Sequence, residues 1–423
     1  MLLAGPGATI ENNGLISSVG ARVTAIEILD QGARLLNTGD VLASGDLAIG
    51  VSFDNLTSAS FNIPDGEAPG DLPDAEFLNS GSIIAEGANA VGTSIIMDQG
   101  TVINQGSIDR SLGGLAQTAS DIGAGLLVIA RDVDVENAEG ASVTAEGNVS
   151  PAFAAFGTNI DFQNDGRISS SGDSAEAVIL LGAGYTFQNG ATGQITSSGI
   201  ESPAVRIGPV RDLDNVLGTG IGAFDDVLVA LLEGDEETTD FAEFITSLAE
   251  ADLDPASFDN AGLIEATGIA SPAVIVNASG GTIENRAAGT IRSTNDFGLV
   301  VGGDRVTINN AGEIAADAAA GSATIRAAWI EAGQSTFNNL GTGMVDGGII
   351  AVLSEVEAAQ EREFDLNNSA NATIMGPEAV TVLEARTLDL LNEGTISAGI
   401  NGLRVGTNEA PAEISVENTA TGV

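Results

Sequence analysis

The residues with the clearest capacity for chemistry are two pairs of aspartates in the pattern Asp-any-Asp, each directly after an arginine. The pairs are Asp132 with Asp134 and Asp212 with Asp214. On a β-strand, alternate side chains point to the same side, so the two carboxylates of a pair should lie together. Such a pair could bind Ca²⁺ or supply the acid and the base of glycoside hydrolysis.

The composition weighs against catalysis. The chain has no His, Cys or Lys, which excludes Ser-His-Asp, Cys-His and Ser-Lys nucleophiles, zinc sites of His or Cys, and the phosphate loop that requires Lys. Among 59 acidic residues an Asp-any-Asp pair is expected by chance. No aromatic platform for sugars accompanies either pair, because Trp329 and Tyr185 are the only Trp and Tyr. We therefore expect no enzyme and no cofactor, with Ca²⁺ as the one ion to test.

The charge limits the partners. Fourteen basic residues, all arginine, oppose 59 acidic ones, and the formal net charge is −45. Such a surface repels nucleic acid and anionic membranes. No stretch approaches the roughly 18 apolar residues of a membrane span, so direct insertion into a membrane is not expected.

A short phrase returns along the whole chain: an apolar residue, any residue, Asn, a short gap, Gly, any residue, then Ile or Val. Five of the thirteen spacings between the marker asparagines are 25 residues, and most others are close to 25. A period of this length predicts a solenoid. The markers are Asn12, Asn37, Asn79, Asn104, Asn137, Asn164, Asn189, Asn260, Asn285, Asn310, Asn339, Asn368, Asn392 and Asn418.

Each repeat predicts three short strands. In residues 162–187, three apolar pieces are separated by clusters of Ser, Gly and Asp, which are typical of tight turns. The prediction is an all-β fold, a parallel β-helix with three strands per coil and coils of about 25 residues. Asn and Gly suit the sharp corners, and stacked asparagines can bond along the axis as an amide ladder. The markers are thus expected to hold the fold and to form no site.

One interval, from Asn189 to Asn260, is 71 residues long. Its apolar residues follow helical spacing in two runs, which predicts a helical hairpin at about 220–252, inserted within 208–257. It is the candidate interaction element, either for a partner or as a passive cover of the solenoid. Its key residues are Phe224, Leu228, Leu231, Phe241, Phe244 and Leu248.

The predicted domain organisation is one solenoid, with coils over 1–207 and 258–423 on either side of the hairpin. Smaller loop insertions are predicted near 54–75 and 111–121, where the spacing also departs from 25. Because the repeats begin at Ile10 and run to Asn418, the chain is expected to be a segment of something longer.

The phrases FQNDGRISSSG, FLNSGSIIAEG, FDNAGLIEATG and INNAGEIAAD, followed by SPAVRI or SPAVIV, resemble the passenger regions of bacterial autotransporters and related large adhesins. The resemblance covers nearly all of the chain outside 208–257. It implies a right-handed β-helix in a secreted or surface-attached protein of a Gram-negative bacterium, exported by an outer-membrane barrel. It says little about activity, because one scaffold supports many functions.

Three classes of function therefore stay open, of which one is an ion-binding surface matrix that calcium would stabilise. The leading hypothesis is a non-enzymatic surface rod that acts as an adhesin or as a structural or filament component. Its partners would be other cells, glycans, surface proteins or further copies, joined end to end or side to side. The alternative is a polysaccharide-degrading β-helix enzyme or spike that uses carboxylates on one face.

Overall fold

The structure is a computed structural model that describes residues 2–4, 7–29, 32–54, 75–114, 123–209, 256–317, 326–353, 362–406 and 413–419. Most of the predicted insertion at 208–257, with the aspartates Asp212 and Asp214, lies outside these residues. So do most of the smaller predicted insertions near 54–75 and 111–121.

The chain divides into two compact units, of which unit 1 comprises Met1–Thr186 with Gly208–Asp252. Most of its strands are short, and all pair in parallel where their register is known. They are β1 Leu2–Ala4, β2 Thr9–Asn12, β3 Leu15–Val19, β4 Thr24–Leu29, β5 Arg34–Asn37, β6 Asp40–Ser44, β7 Ile49–Asp54, β8 Ala75–Asn79, β9 Ser82–Glu86, β10 Val91–Met97, β11 Gly100–Asn104, β12 Ser107–Ser111, β13 Ala124–Asn137, β14 Ser142–Glu146, β15 Phe153–Asn164, β16 Arg167–Ser171 and β17 Val178–Ala183.

Unit 2 comprises Phe187–Ile207 with Leu253–Val423. Its strands are β18 Thr186–Asn189 (whose first residue closes unit 1), β19 Gln194–Ser198, β20 Val205–Gly208, β21 Ser257–Asn260, β22 Leu263–Ala266, β23 Val274–Asn277, β24 Thr282–Asn285, β25 Thr290–Ser293, β26 Leu299–Gly303, β27 Val306–Asn310, β28 Glu313–Ala316, β29 Ala328–Ala332, β30 Gln334–Asn339, β31 Met344–Asp346, β32 Ile349–Val352, β33 Glu363–Asn368, β34 Thr373–Leu383, β35 Thr387–Asn392, β36 Thr395–Gly406 and β37 Glu413–Asn418.

Each strand pairs in parallel with its equivalent one coil later. In unit 1, for example, β2 pairs with β5 and β5 with β8, and Asn12, Asn37 and Asn79 are register partners. The described residues are all-β without a helix, and the strands form a β-solenoid of about 12 turns. The predicted all-β parallel solenoid is therefore confirmed.

Three rows of strands make up the coils. The marker row contains the strands that end at a marker asparagine, such as β11. The second row contains the strands that follow them in the chain, such as β12. The third row contains the strands that precede the next marker strand, such as β10. Some strands run through a corner without a break. The 14-residue β13 pairs with both β10 and β11, and therefore belongs to the third row and then to the marker row.

Alternation along each strand builds the core. In unit 1 most inward positions are aliphatic or aromatic and at most 4% exposed, and register keeps equivalent positions in columns. The rings of Phe153 and Phe162, on two rows of the same coil, stack inside with centroids 4.6 Å apart. The columns contain Phe77, Val102, Val135 and Phe162 in the marker row, Ile83, Ile108, Val143 and Ile168 in the second, and Phe53, Ile95, Val128 and Ala155 in the third.

Candidate functional site

The marker asparagines form a buried amide ladder in each unit. In unit 1, Nδ2 of Asn12 donates to Oδ1 of Asn37, and the pattern continues through successive markers to Asn164 with N–O distances of 2.7–2.9 Å. In unit 2 the same ladder runs from Asn189 to Asn418 with distances of 2.8–2.9 Å. All these residues except Asn418 are buried.

Further hydrogen bonds use the remaining donors and acceptors of the ladder amides. Nδ2 of Asn285 also donates to the backbone oxygen of Glu313 at 3.0 Å, and Oδ1 of Asn260 also accepts from the backbone N–H of Gly262 at 3.3 Å. A buried amide that makes these bonds has little capacity left for a ligand. The ladder therefore serves the fold, because it joins each coil to the next through its side chains.

Glycine follows every marker except Asn368 within four residues, because the coils stack backbone on backbone at this corner. At Gly106, a Cβ atom would overlap the backbone oxygen of Gly81, and at Gly39 it would overlap that of Gly14. No side chain fits between these turns. The second half of the repeated phrase is therefore explained by packing.

Asp132 and Asp134 lie on β13 and are both exposed. The backbone of Asp132 is left-handed, with φ 51°, and pairing passes from Arg131 directly to Val133, so Asp132 stands at the corner between two rows. Its Oδ1 accepts a hydrogen bond from Nδ2 of Asn159, the left-handed residue of the next coil, at 2.8 Å. Asp132 thus occupies a corner, where Asp, Asn and Gly tolerate the left-handed conformation best.

Arg131 forms an ion pair with Asp98, a buried carboxylate that is 2% exposed. Both Nε and Nη2 of the guanidinium lie 2.6 Å from Oδ1 of Asp98. Asp134 is in register with Asp161 on the exposed side of the next coil. Within the described ranges, no group of three or more acidic side chains could hold a metal ion. Asp212, Asp214 and the six apolar residues of the predicted hairpin lie outside those ranges.

The sequence analysis missed a second set of stacked polar side chains on the outside of the marker row in unit 2. We call them the outer polar rows. One row reads Thr, Thr, Thr, Asp, Asp and the other Glu, Asn, Asn, Asn over successive coils. They consist of Thr282, Thr307, Thr336, Asp365 and Asp389, and of Glu284, Asn309, Asn338 and Asn367.

The outer asparagines form their own ladder. Asn367 donates to Asn338 at 2.8 Å, Asn338 to Asn309 at 2.9 Å, and Asn309 to the carboxylate of Glu284 at 3.1 Å. Donation runs towards the N-terminus, opposite to the buried ladder. The signal in the sequence was the Asn-Asn doublets at 309–310, 338–339 and 367–368, whose first members alternation places outside.

The two aspartates at the end of the outer polar rows repel each other. Asp365 and Asp389 are directly paired on β33 and β35. Partial burial, and then the neighbouring charge of Asp389, raise the pKa of Asp365. The surroundings of Asp365 thus disfavour ionisation of its carboxyl group.

A second charged cluster in unit 2 is built around Glu378. Nη2 of the buried Arg326 lies 3.2 Å from Oε2 of Glu378, and Nη1 of the exposed Arg404 lies 3.4 Å from Oε1. Desolvation opposes ionisation, but these cations and the hydroxyl of Thr381 outweigh it, so that the pKa of Glu378 is lowered. The geometry is that of an ion-pair network between coils.

Arg110 is a charged residue at an inward position of the second row. It is fully buried, in register with Ala85 and Ala145, whose small side chains leave space beside it. Gly123 and Gly147 border the guanidinium so closely that a Cβ atom at either position would overlap it. These neighbours make the burial of so large a side chain possible.

No protein-family model, curated protein or solved structure matches the chain. Among the residues that the structure describes, no helix is long and apolar enough to cross a membrane.

Proposed function

We propose that the chain is a non-enzymatic, secreted or cell-surface solenoid of a Gram-negative bacterium, which acts as an adhesin or a structural surface component. Its binding surface would be the outer polar rows of unit 2, and its partner a hydroxyl-rich polymer such as a cell-surface polysaccharide. The resemblance of the repeats to autotransporter passengers supports the location.

The observation that carries this proposal is the regularity of the outer polar rows. Hydroxyl, amide and carboxylate groups recur in register at each coil, about 4.8 Å apart along the stacking direction. The strands and the outer amide ladder fix these groups, so that little side-chain entropy would be lost on binding. A repeating ligand with hydrogen-bonding groups along its length could contact several coils at once.

The charge of the chain favours the same class of partner. A net charge of −45 disfavours nucleic acid and anionic membranes but permits neutral, polyhydroxylated ligands. Individually weak hydrogen bonds would gain strength through repetition along the solenoid.

The test measures binding of the purified chain to immobilised bacterial surface polysaccharides and to whole cells. In the triple variant Thr307→Ala, Thr336→Ala and Asn338→Ala, binding should be lost, because two neighbouring coils lose three outer polar groups. A matched control, Thr196→Ala with Thr290→Ala, removes outward hydroxyls from the second row of the same unit and should bind normally. Circular dichroism of both variants would verify the fold.

The same polysaccharides distinguish the enzymatic alternative. Incubation with the chain should release no new reducing ends or unsaturated sugars. Their release, with loss in Asp132→Ala or Asp134→Ala, would instead favour a carboxylate hydrolase or lyase. Unchanged binding by the triple variant would refute the outer polar rows as the adhesive surface.

A further inference from the structure

Four apolar side chains point outward from successive coils on the third row of unit 2. They occupy equivalent positions on β23, β26, β29 and β32, and register joins each of them to the next. All four are half-buried, while the residues on either side of them in each strand are buried in the core. We call them the Trp329 stripe. It consists of Ile275, Val300, Trp329 and Ile350.

The Trp329 stripe differs from the outside of the marker row in the same unit. There the outward columns are the outer polar rows, made of Thr, Asn, Asp and Glu. Single exposed apolar residues are common on protein surfaces, but a contiguous apolar strip that water still reaches is typical of a binding site. Across its four coils the stripe extends roughly 14 Å along the stacking direction.

An aromatic pair forms the largest part of this surface. Trp329 is the single tryptophan of the chain, and its indole packs against the ring of Phe297 at an angle of 63°, with centroids 5.3 Å apart. Phe297 stands in the segment between β25 and β26 and is also half-buried. Two rings that hold each other at a fixed angle and are only partly covered form a rigid apolar platform.

A carboxylate stands on each side of the aromatic platform along the strand direction. Glu331 is exposed and follows Trp329 by two residues on the same side of β29, which is about 7 Å along the strand. On the other side, Asp296 accepts a hydrogen bond from the backbone N–H of Phe297 at 2.9 Å. Partial burial raises the pKa of Asp296, so its carboxylate is incompletely hydrated and gains from a hydroxyl donor.

The charges around the stripe have both signs, unlike the large acidic excess of the whole chain. Arg206 precedes the stripe in the same column, in register with Ile275. Arg404 extends the column in the other direction and forms an ion pair with Glu378. Such a surface suits an uncharged ligand, whereas a second copy of the chain would bring a further net charge of −45.

We propose that the Trp329 stripe is a carbohydrate-binding site, at which pyranose rings of a neutral polysaccharide stack on the aromatic platform. The C–H face of a pyranose ring is apolar and covers the indole, while hydroxyls at the edge of the ring donate to Glu331 on one side and to Asp296 on the other. Further rings along the stacking direction contact Val300 and Ile350. The site rests on the proposed function, because it needs a hydroxyl-rich partner, and it adds an apolar contact that the outer polar rows lack.

The single tryptophan gives a direct readout of this site. Its fluorescence in the full chain would be followed while cellopentaose, mannopentaose or chitopentaose is added, with free N-acetyltryptophanamide as the control for effects of the sugar on any indole. At least one of these neutral oligosaccharides should change the fluorescence in a saturable way, because its ring covers Trp329. No saturable change with any of them would overturn the proposal. A change with an arginine-rich peptide instead of the sugars would assign the stripe to a basic protein and would also overturn it.

Variants separate recognition from structure, with circular dichroism to verify each fold. Glu331→Gln leaves the tryptophan in place, and the dissociation constant of the responding oligosaccharide should rise several-fold, because a hydrogen-bond acceptor loses its charge. The matched control Glu313→Gln changes an outward carboxylate on the second row of the same unit and should bind as the parent chain does. By calorimetry, Trp329→Ala should not bind, whereas Trp329→Phe should retain part of the affinity. Full affinity in Trp329→Ala, or equal losses in the two glutamine variants, would contradict the site.

The same assay distinguishes this site from the outer polar rows. The triple variant Thr307→Ala, Thr336→Ala and Asn338→Ala should keep the fluorescence response, because all three residues lie in the marker row. If the parent chain responds to an oligosaccharide but binds no immobilised polysaccharide or cell, the outer polar rows fail as the adhesive surface and the Trp329 stripe stands. Polysaccharide binding that the triple variant abolishes, without any fluorescence response in the parent chain, would leave the outer polar rows and refute the stripe.

Discussion

Asn310 lies in the middle of the amide ladder of unit 2 and is completely buried. It accepts from Asn285 at 2.8 Å and donates to Asn339 at 2.9 Å. Asn310→Leu would remove both bonds and leave two buried polar groups poorly satisfied. We expect the free energy of unfolding to fall by about 2–4 kcal/mol, measured by urea denaturation followed by circular dichroism.

The neighbouring residue gives a matched control. Asn309 also bonds to asparagine and carboxylate partners one coil away, but it is only half-buried on the outside of the same strand. Asn309→Leu should lower the free energy of unfolding by about 1 kcal/mol or less, because water can replace its partners. Equal effects at the two positions would show that burial of the ladder is not what makes it stabilising.

Removing the carboxylate of Asp365, which is stacked on Asp389, should give a pH-dependent gain in the free energy of unfolding. Because the folded pKa of Asp365 is raised, its ionisation lowers stability above that pKa, and the penalty disappears as the pH falls towards the unfolded value of about 3.9. Asp365→Asn should therefore raise the free energy of unfolding by about 0.5 kcal/mol at pH 7. The gain over the parent chain should vanish near pH 3.5, as measured by denaturation across pH.

A double-mutant cycle separates the repulsion from other effects. Asp389→Asn alone should give a smaller gain at pH 7, because it removes the repulsion but leaves the carboxylate of Asp365 partly desolvated. The double variant should give no more than Asp365→Asn alone, because either change removes the same repulsion. Gains that add fully, or that persist at low pH, would contradict the stacked pair as their cause.

At the level of the strands, the corners decide how one row turns into the next. Between the second and third rows, unit 1 repeatedly has a glycine with positive φ followed two residues later by a left-handed residue, as at Gly87 with Asn89 and at Gly147 with Val149. Asn tolerates this conformation, whereas a β-branched residue is strained in it. Val149, with φ 51°, is therefore a strained position.

Val149→Asn should relieve this strain. Val149 is only partly buried, so little apolar packing is lost, and we expect the free energy of unfolding to rise by about 1 kcal/mol. The reciprocal change Asn89→Val should lower it by a similar amount, with a further loss from the bond between Asn89 and Asp46. Denaturant unfolding of both variants measures the two changes in the free energy of unfolding. These changes must have opposite signs.

The sequence allowed the coils, the strand rows and the marker positions to be predicted, because inward positions must be apolar or amide-bonded in every coil. Fourteen asparagines, most of them 24–29 residues apart, carry that constraint. Outward positions are under weaker constraint, so the outer polar rows were visible only as Asn-Asn doublets. The burial of Arg110 was not predictable, because it depends on Gly123 and Gly147, which lie further along the chain.

The pairing of Arg131 with Asp98 shows the same limit. The sequence placed Arg131 beside Asp132 and Asp134, which are its neighbours in the chain. In the fold, Asp98 is a neighbour from the previous coil, 33 residues away. Such contacts between coils are the rule in a solenoid. Sequence spacing predicts them only where the repeat keeps its period, and the interval between Asn104 and Asn137 departs from that period.

At the level of the whole molecule, the dominant quantity is the net charge of −45. Parallel stacking brings like charges close together, because register aligns equivalent positions, as for Asp134 with Asp161 and Asp365 with Asp389. Few arginines are available to compensate them. Self-repulsion should therefore lower stability at low ionic strength.

Salt should stabilise the protein by screening the repulsion between its negative charges. Comparison with calcium tests whether an ion also binds at a specific site. Raising NaCl shortens the screening length to about 8 Å at physiological ionic strength, so the melting temperature should rise with NaCl and then level off. CaCl₂ at equal ionic strength should give the same melting temperature if screening alone acts. A higher value in CaCl₂ that is lost on adding a chelator, and is reduced in Asp132→Asn or Asp134→Asn, would instead reveal a calcium site at that corner. A melting temperature independent of NaCl would refute self-repulsion as a limit on stability.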